Sequence, residues 1–468
     1  MNASLTLTDD QHRAPQDHLF PGDGKEAVAF LLCGQAAHGD RHRLVVHQVV
    51  TIPHKRCKRS VDRVSWDGED LVEHLDHAAV DRLSLVKVHS HPGGYAQFSA
   101  VDDESDHELL PTIASWAEHE GLHGSAIMLP NGWMFGRVYQ PGRGFVPMTL
   151  INVVGPDLRF WWHETCDEAT APSFAPAQDQ AFGGGTTQRL QRLRIGIVGA
   201  SGTGSPVLEQ LVRLGVGHVV LVDDDRVEDR NLNRIMFATQ GDANHAELKV
   251  RAAKSHVDRI GLGTAITPIA APVESADAIH ALAQCDVLFG CVDTLGGRFT
   301  MNVLATHYLL PYFDLGILLD AEQTGDERGR IKDIVGTVHY LIPGRSSLMS
   351  REVFTMADVS AEGLRRRDPD AAQQQEQDKY IKGMAVRRPA VISVNMFAAS
   401  LAVNDFLARL HPYRKLGHEN AAVAAIEFSL AELRLTQDEE LTPCSMLAPM
   451  VGRGDRTPLL SMPRDTES

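Results

Sequence analysis

Two short apolar runs flank an amphipathic segment in the middle of the chain. RIGIVG at 194–199 and HVVLV at 218–222 are continuous apolar runs of the length of buried strands. The segment between them, 205–215, repeats apolar residues at helical spacing and predicts a helix. The alternation continues with a helix at 249–257, a strand at 265–270, a helix at 277–284 and a strand at 286–293. Alternating strands and helices of this length predict a doubly wound, parallel α/β sheet.

The first third of the chain has a different pattern. The apolar runs at 43–52 and 83–91 predict strands, and 124–139 predicts a hairpin that turns at an Asn-Gly pair. The run at 26–34, EAVAFLLCG, fits a short helix or a buried strand equally well. We therefore expect a separate, mixed α/β unit in this region.

The length of 468 residues exceeds what one hydrophobic core usually serves, so the sequence predicts two domains. A stretch rich in Ala, Pro, Gly and Thr, without Lys or Arg, separates the two patterns and predicts a linker. The polar, proline-containing start of the chain predicts poor order. The predicted boundaries are a disordered N-terminus at 1–22, an α/β domain at 23–160, a linker at 161–187, a doubly wound domain at 188–450 and a loosely structured tail at 451–468.

Charge and composition narrow the classes of partner. The net charge of -16 argues against a nucleic-acid binder, which needs a basic surface. The six cysteines are scattered without a C-x-x-C pair, so we expect reduced thiols and a cytoplasmic location. No apolar run approaches the roughly 20 residues that span a bilayer, and the N-terminus lacks the pattern of a signal peptide. We therefore expect no membrane partner.

The strand predicted at 83–91 ends in a group of metal-binding residue types. His89 and His91 are one residue apart, so their imidazoles can point the same way, and Asp102 can return from the next loop as a third ligand. Three protein ligands and one water make an open, catalytic zinc site. Glu26 is a candidate general base, and Ser99 can donate a hydrogen bond to a developing oxyanion.

The spacing H-S-H-P-x6-S-x2-D resembles the JAMM motif of the JAB/MPN metalloprotease family, which removes ubiquitin-like proteins from their conjugates. By that resemblance His89, His91 and Asp102 bind Zn²⁺, Glu26 is the base and Ser99 is the oxyanion donor. The resemblance covers about 130 residues and implies an active isopeptidase in an N-terminal JAB/MPN α/β domain.

A second group of residues follows the strand at 194–199. Gly199, Gly202 and Gly204 open a helix, where glycines let the backbone approach a phosphate. Asp223 ends the next strand, and its carboxylate can accept hydrogen bonds from ribose hydroxyls. These features alone fit an NAD-dependent dehydrogenase equally well.

The residues further along favour triphosphate chemistry over hydride transfer. Asn231, Arg234 and Lys249 follow Asp223, and Asp293 ends a later strand where it can hold Mg²⁺. The stretch from VGASGTGS to LVDDDRVEDRNLNR resembles the ThiF/MoeB-type adenylyltransferases and the adenylation domains of ubiquitin-activating enzymes. By that resemblance the domain has a Rossmann-like fold and binds ATP. The resemblance also implies that Asp223 contacts the ribose and that Asp293 organises Mg²⁺. It implies that the phosphates are contacted by Asn231, Arg234 and Lys249.

The two resemblances imply one enzyme that processes and activates a ubiquitin-like protein, with a conjugating enzyme as a possible further partner. Activation of a sulfur carrier for thiocarboxylate formation is the alternative, and a non-enzymatic scaffold that binds a ubiquitin-like tail is a third hypothesis. Analogy to relatives implies a homodimer through the adenylation domain. The cysteine of thioester-forming relatives has no clear counterpart, since Cys291 fits a packed core thiol and Cys444 lies near the tail.

Overall fold

The computed structural model describes residues 1–117, 121–163, 185–321, 330–368, 370, 391–415, 417, 421–456 and 459–461. The chain forms two compact units. Unit 1 contains Met1–Asp167, Thr306–Leu309 and Met450–Ser468, and unit 2 contains Glu168–Ala305 and Leu310–Pro449, each as far as it is described. Among the described residues no helix has both the length and the apolar character needed to cross a membrane.

The described part of unit 1 contains one eight-stranded mixed sheet and three helices of its own. The strands of the unit are β1 Asn2–Thr8, β2 Val28–His38, β3 Arg41–Thr51, β4 Cys57–Arg59, β5 Val64–Trp66, β6 Ser84–Ser90, β7 His123–Met128, β8 Met134–Gln140, β9 Gly144–Val154 and β10 Leu158–Trp162. The helices are α1 Asp9–Leu19, α2 Glu69–Asp81 and α3 Ala100–Ala117. The sheet order is β1-β3-β2-β6-β7-β8-β9-β10, and β1 also pairs with β9, so the sheet closes on itself. Strands β4 and β5 form a separate two-stranded hairpin.

The expectation of a disordered N-terminus is wrong, because residues 2–19 form β1 and α1. Strand β1 lies between β3 and β9 and buries Leu5 and Leu7 completely. A capping box at Thr8 starts α1, and His12 donates from Nε2 to the carbonyl of Gly132 at 2.7 Å. These long-range partners order a segment that is polar overall. The run at 26–34, for which helix and strand fitted equally, belongs to strand β2 and its approach.

The end of the chain belongs to unit 1, so the expectation of a loosely structured tail is wrong for its first residues. The amide of Gly34 donates to the carbonyl of Gly452 at 3.2 Å. Gly452 has φ +67°, and a Cβ on it would collide with the carbonyl of Val46. Glycine is therefore required where this segment, Met450–Arg456, lies against the middle of β2 and β3.

Unit 2 is a doubly wound α/β unit. Its strands are β11 Arg194–Val198, β12 His218–Val222, β13 Ala265–Ile269, β14 Val287–Gly290, β15 Tyr312–Ala321, β16 Ile331–Leu341, β17 Val423–Glu427 and β18 Glu432–Thr436. Its helices are α4 Thr186–Arg192, α5 Gly204–Arg213, α6 Gln240–Asn244, α7 Lys249–Ile260, α8 Ala276–Ala283, α9 Leu295–Tyr308, α10 Met356–Arg367 and α11 Ile392–Leu410. The last turn of α9, from Thr306, is counted with unit 1.

The sheet of unit 2 has the order β13-β12-β11-β14-β15-β16-β17-β18. The pairs from β13 through β15 are parallel, and the pairs from β15 through β18 are antiparallel. The predicted doubly wound α/β fold is confirmed, with an antiparallel extension that the sequence did not indicate. Strand β11 lies between β12 and β14, so the loops after these three strands meet at one edge. Most of the predicted linker, 164–184, lies outside the described residues.

Candidate active sites

Side chains alternate between the two faces of β6, so the basic residues Lys87 and His89 lie on the same face. Val86 and Val88 point into the apolar core that also contains β1 and β9. Lys87 and His89 point to the other face, where Leu85 packs against helix α3. This face of β6 therefore begins apolar and becomes polar at the carboxyl end of the strand.

Helix α3 matches that gradient. Its buried face carries Asp102 and Asp106 at i, i+4 spacing in the first turns, followed by the apolar residues Leu110, Ile113 and Ala117. Asp102 lies over His89, and Asp106 forms an ion pair with Lys87. The two carboxylates are thus directed into unit 1 because each finds a basic partner on β6.

His89, His91 and Asp102 come together as the sequence predicted. The Nε2 atoms of the two histidines are 3.2 Å apart, and the Asp102 carboxylate oxygens are 2.9 Å from His89 Nε2 and 3.4 Å from His91 Nε2. All three residues are buried. Two imidazole nitrogens and one carboxylate converge on a common point, so the three residues could hold a metal ion.

Hydrogen bonding fixes which nitrogen of His91 faces that point. Nδ1 of His91 lies 2.7 Å from the carbonyl of Tyr95 and donates to it, so Nε2 faces that point. In the protonated ring Nε2 donates to Asp102, and in the neutral ring its lone pair is available to a metal. Burial acts to lower the pKa of His91, but its hydrogen bonds to Asp102 and Tyr95 and the nearby carboxylates raise it overall. Burial lowers the pKa of His89. Burial alone would raise the pKa of Asp102, whereas hydrogen bonds from both histidines hold it well below its usual range. The site therefore presents an ionised carboxylate.

Glu26 reaches the same site from strand β2. Val28 pairs with His89 in antiparallel register, so Glu26, two residues earlier, is opposite His91. Its Oε1 lies 3.9 Å from His91 Nε2, and its side chain is 8% exposed. Burial raises the pKa of Glu26 to about 7, against a smaller opposing effect of His91. A carboxylate with this pKa suits a general base near neutral pH.

Ser99 is close to the cluster but is engaged with one of its members. Its amide and its hydroxyl donate to Asp102 Oδ2 at 2.7 and 2.8 Å, and its Oγ accepts from the Asp102 amide at 3.2 Å. Ser99 thus orients the carboxylate at the start of α3. Its role as an oxyanion donor stays a prediction.

Two supporting residues were not found from the sequence. The carbonyl of Tyr95 is invisible to side-chain reasoning. Arg137 on β8 donates to Asp106 at 2.7 Å, and its guanidinium carbon lies 3.8 Å from the ring centre of Phe98. Arg137 therefore connects α3 to the loop that precedes Ser99. The sequence around Arg137 in β8 contains no pattern that indicates this contact.

In unit 2 the glycine loop after β11 is formed by close backbone contacts. Gly199 has φ +93°, and a Cβ there would lie 2.5 Å from the carbonyl oxygen of Cys291. A Cβ on Gly202 would collide with Asn395 on α11, and one on Gly204 would collide with the Gly199 carbonyl. Gly199 and Gly204 are therefore needed where backbone packs against backbone, and Gly202 leaves room for the Asn395 side chain.

Asp223 and Lys249 border this loop. The amide of Ala200 donates to Asp223 Oδ2 at 2.6 Å, and Lys249 Nζ lies 3.5 Å from Asp223 Oδ1 and 2.6 Å from Asp225 Oδ2. Burial raises the pKa of Asp223, although the charge of Lys249 and the amide hydrogen bonds oppose the shift. Lys249 is 4% exposed, so its ammonium is held by carboxylates rather than by water.

Arg234 and Asn231 lie in the segment after β12. The Cδ of Arg234 would be 3.2 Å from a Cβ on Gly202, so this side chain borders the glycine loop. Its guanidinium donates to the carbonyl of Arg230 at 2.6 Å. Asn231 is buried, and its Oδ1 accepts from the Glu228 amide at 3.1 Å. The structure thus gives Asn231 a local structural contact that the sequence did not predict.

Asp293 is exposed in the loop after β14, next to the glycine loop in sheet order. Within the described part of the chain, no hydrogen bond or ion pair joins it to another side chain. Just beyond it, Arg298 on α9 forms an ion pair with the completely buried Asp314, which also accepts from Tyr312 OH at 2.7 Å. This network, absent from the sequence interpretation, fixes the start of α9.

The two cysteine candidates are enclosed. Burial raises the pKa of the Cys291 thiol, and the nearby Asp314 carboxylate adds to the shift. Cys444 is 6% exposed, and its amide donates to the Arg345 carbonyl at 3.1 Å.

Two family models match different parts of the chain. The family model described as ThiF family matches residues 176–442, and the model described as prokaryotic homologs of the JAB domain matches residues 10–163. The "SAMP-activating enzyme E1" of Haloferax volcanii is 32% identical over 24% of this chain and 42% of its own length. The "Molybdopterin-synthase adenylyltransferase" of Escherichia coli is 32% identical over 25% of this chain and 45% of its own length.

A further relative, the "Adenylyltransferase and sulfurtransferase UBA4" of Meyerozyma guilliermondii, is 31% identical over 28% of this chain and 30% of its own length. The chain thus spans less than half the length of each of these three relatives. Among solved structures, MccB of Escherichia coli is 17% identical, with a TM-score of 0.44, over 62% of this chain and 74% of that one. The match to the ThiF model covers more than half of the chain, so this protein belongs to the ThiF family and carries an N-terminal domain of the prokaryotic JAB type.

Proposed function

We propose that unit 2 activates the C-terminal carboxylate of a ubiquitin-like or sulfur carrier protein by adenylation. The observation that carries the proposal is the position of Lys249, which is buried beside the glycine loop and paired with Asp223 and Asp225. A buried ammonium at a glycine loop suits the charge of a triphosphate. The printed names of the relatives, a SAMP-activating enzyme and a molybdopterin-synthase adenylyltransferase, support a protein substrate.

In the proposed reaction the carboxylate of the modifier attacks the α-phosphorus of ATP. A new P–O bond forms, the bond to the β-phosphate bridge breaks, and pyrophosphate leaves. Lys249 and Arg234 neutralise the charge on the phosphates, while Asp223 holds the ribose. Mg²⁺ bound by Asp293 would screen the leaving pyrophosphate.

For unit 1 we propose a zinc-dependent peptidase that trims the modifier or removes it from conjugates. The convergence of His89, His91 and Asp102, with Glu26 at 3.9 Å from one of them, carries this part. Bound Zn²⁺ would lower the pKa of its water and polarise the scissile carbonyl. Glu26 takes the proton of the attacking water and returns it to the leaving amine. The Ser99 hydroxyl, which donates to Asp102 in the structure, would turn to donate a hydrogen bond to the oxyanion.

The sulfur-carrier alternative is favoured by a specific observation. Burial raises the pKa of the Cys291 thiol, and Cys444 is buried, so neither side chain is readily available to form a thioester. The adenylate could then pass directly to a sulfur donor. The two outcomes differ in product: sulfur transfer leaves a thiocarboxylate on the modifier, whereas conjugation leaves an amide bond to a second protein. Intact mass measurement of the modifier separates them.

ATP–pyrophosphate exchange with a panel of ubiquitin-like and sulfur carrier proteins tests the activating reaction. We expect exchange that requires one of these proteins and is lost in Asp293→Ala. A matched control is Asp277→Ala, an acidic residue of α8 outside the site, which we expect to keep wild-type exchange. Exchange that persists in Asp293→Ala would contradict the role of this residue. No exchange with any member of the panel would count against adenylation itself.

A further inference from the structure

The hairpin β4–β5 holds the segment that carries Glu26 through one side chain, Arg59. Its guanidinium donates to the carbonyl of Glu26 at 2.7 Å and to the carbonyl of Lys25 at 3.0 Å. It also makes a two-pronged contact with the Asp23 carboxylate at 2.9 and 3.1 Å. The Arg59 side chain is 7% exposed, so these four bonds use a largely enclosed guanidinium.

The neighbouring residue of the hairpin completes the contact. The carbonyl of Ser60 accepts from the amide of Glu26 at 2.8 Å. The amide of Glu26 is therefore bound by the main chain of Ser60, and its carbonyl is bound by the side chain of Arg59. Glu26 precedes the first residue of β2, and the sheet holds the next residue, Ala27, through two hydrogen bonds with Ser90 of β6. The hairpin binds the amide and the carbonyl of Glu26 itself, which take no part in the sheet ladder.

The other arginine of this region has a different task. Arg56 forms an ion pair with Asp70 in the first turn of α2, and its side chain is 61% exposed. It makes no contact with 23–26 among the described residues. The two arginines, three positions apart, therefore form a natural pair for comparison.

We propose that Arg59 is a positioning residue that sets the backbone of Glu26 and thereby the reach of its carboxylate towards the zinc site. The proposal rests on the peptidase function proposed above for unit 1. Arg59 acts through Glu26, since its guanidinium is occupied by Asp23 and by two carbonyls. Displacement of a catalytic group by about 1 Å can cost on the order of 10²-fold in rate, so loss of this contact is expected to appear in kcat.

The test uses the zinc-loaded full chain with the variants Arg59→Met, Arg59→Lys and, as the matched control, Arg56→Met. The probe is a ubiquitin-like protein with a C-terminal aminocoumarin amide. We expect Arg59→Met to lower kcat on the order of 10²-fold with KM and zinc content unchanged. Arg59→Lys should recover part of the loss because an ammonium can still reach Asp23 or one carbonyl, and Arg56→Met should match the wild type.

Hydrogen exchange at the Glu26 amide gives a second readout that does not depend on cleavage. Exchange should speed up in Arg59→Met and stay slow in Arg56→Met. Equal kcat in the two methionine variants would overturn the proposal, as would a loss of zinc that parallels the loss of rate. If the wild type cleaves no probe, the peptidase function fails, and unchanged protection of Glu26 in Arg59→Met would then overturn the positioning role by itself.

Discussion

Replacement of Gly199 by alanine should disable the nucleotide site out of proportion to its cost in stability. The backbone at Gly199 has φ +93°, where a side chain costs about 1–2 kcal/mol. The new Cβ would also lie 2.5 Å from the Cys291 carbonyl oxygen. A carbon–oxygen contact needs roughly 3.3 Å, so the two loops must separate by roughly 0.8 Å. The loop that moves carries Asp293, two residues beyond Cys291.

A shift of this size in a catalytic loop predicts a fall of about 10²-fold in the rate of ATP–pyrophosphate exchange. Gly263→Ala is the matched control, because Gly263 has φ +88° and open space around its Cβ position. We expect both variants to lose about 1–2 kcal/mol of unfolding free energy through the positive φ, and Gly199→Ala to lose roughly 1–3 kcal/mol more through the collision, but only Gly199→Ala to lose exchange. Calorimetry and the exchange assay measure the two effects separately. Equal exchange in the two variants would refute the argument that loop contact, rather than backbone strain, supports the site.

Three further outcomes follow from unit 1. Asp102→Asn should lose zinc, whereas Glu26→Gln should keep zinc and lose peptide cleavage. Metal analysis and a cleavage assay on each variant check this. Loss of zinc in both variants would contradict the assignment of Asp102 as ligand and Glu26 as base. Burial lowers the pKa of His12 from 6.5 to about 4, so the unfolded chain binds more protons between these values. The free energy of unfolding should therefore fall as pH falls through this window, and His12 should account for about 1.8 kcal/mol of the decrease between pH 7 and 5. Urea titrations at both pH values should show a decrease that is smaller by this amount in His12→Gln. Gly452→Ala should cost roughly 1–3 kcal/mol more than Gly39→Ala, which has similar φ and open space, and equal melting temperatures would argue against the close packing of the chain end.

The sequence predicted the parts of the fold that depend on local pattern. Alternation of apolar strands and amphipathic helices was enough for the parallel part of unit 2, because each βα step repeats the same signal. Strand β1 was missed although Leu5 and Leu7 alternate with polar residues. Its order comes from pairing with β3 and β9, which lie far along the chain. The same holds for Gly452, whose role appears only when β2 and β3 are in place.

The candidate sites divide in a similar way. The spacing of the motif predicted that His89, His91 and Asp102 lie close together, because the end of one strand and the start of the next helix determine their positions. The contact of Arg59 could not be predicted from the sequence, because its guanidinium binds the carbonyl of a residue 33 positions earlier. The residues around Arg59 form no motif that indicates this contact. The catalytic assignments themselves stay predictions until the variants are measured.

Pyrophosphate release from ATP, measured with an extended and with a trimmed modifier, tests most directly the central claim that both sites act on one substrate. The modifier that supports exchange is prepared with and without a C-terminal extension and given to the wild type and to Glu26→Gln with zinc and Mg-ATP. We expect the wild type to release pyrophosphate from ATP with both forms of the modifier, and Glu26→Gln to release it only with the trimmed form. Equal release by both enzymes with the extended form would contradict the account, because adenylation would then not depend on the peptidase site.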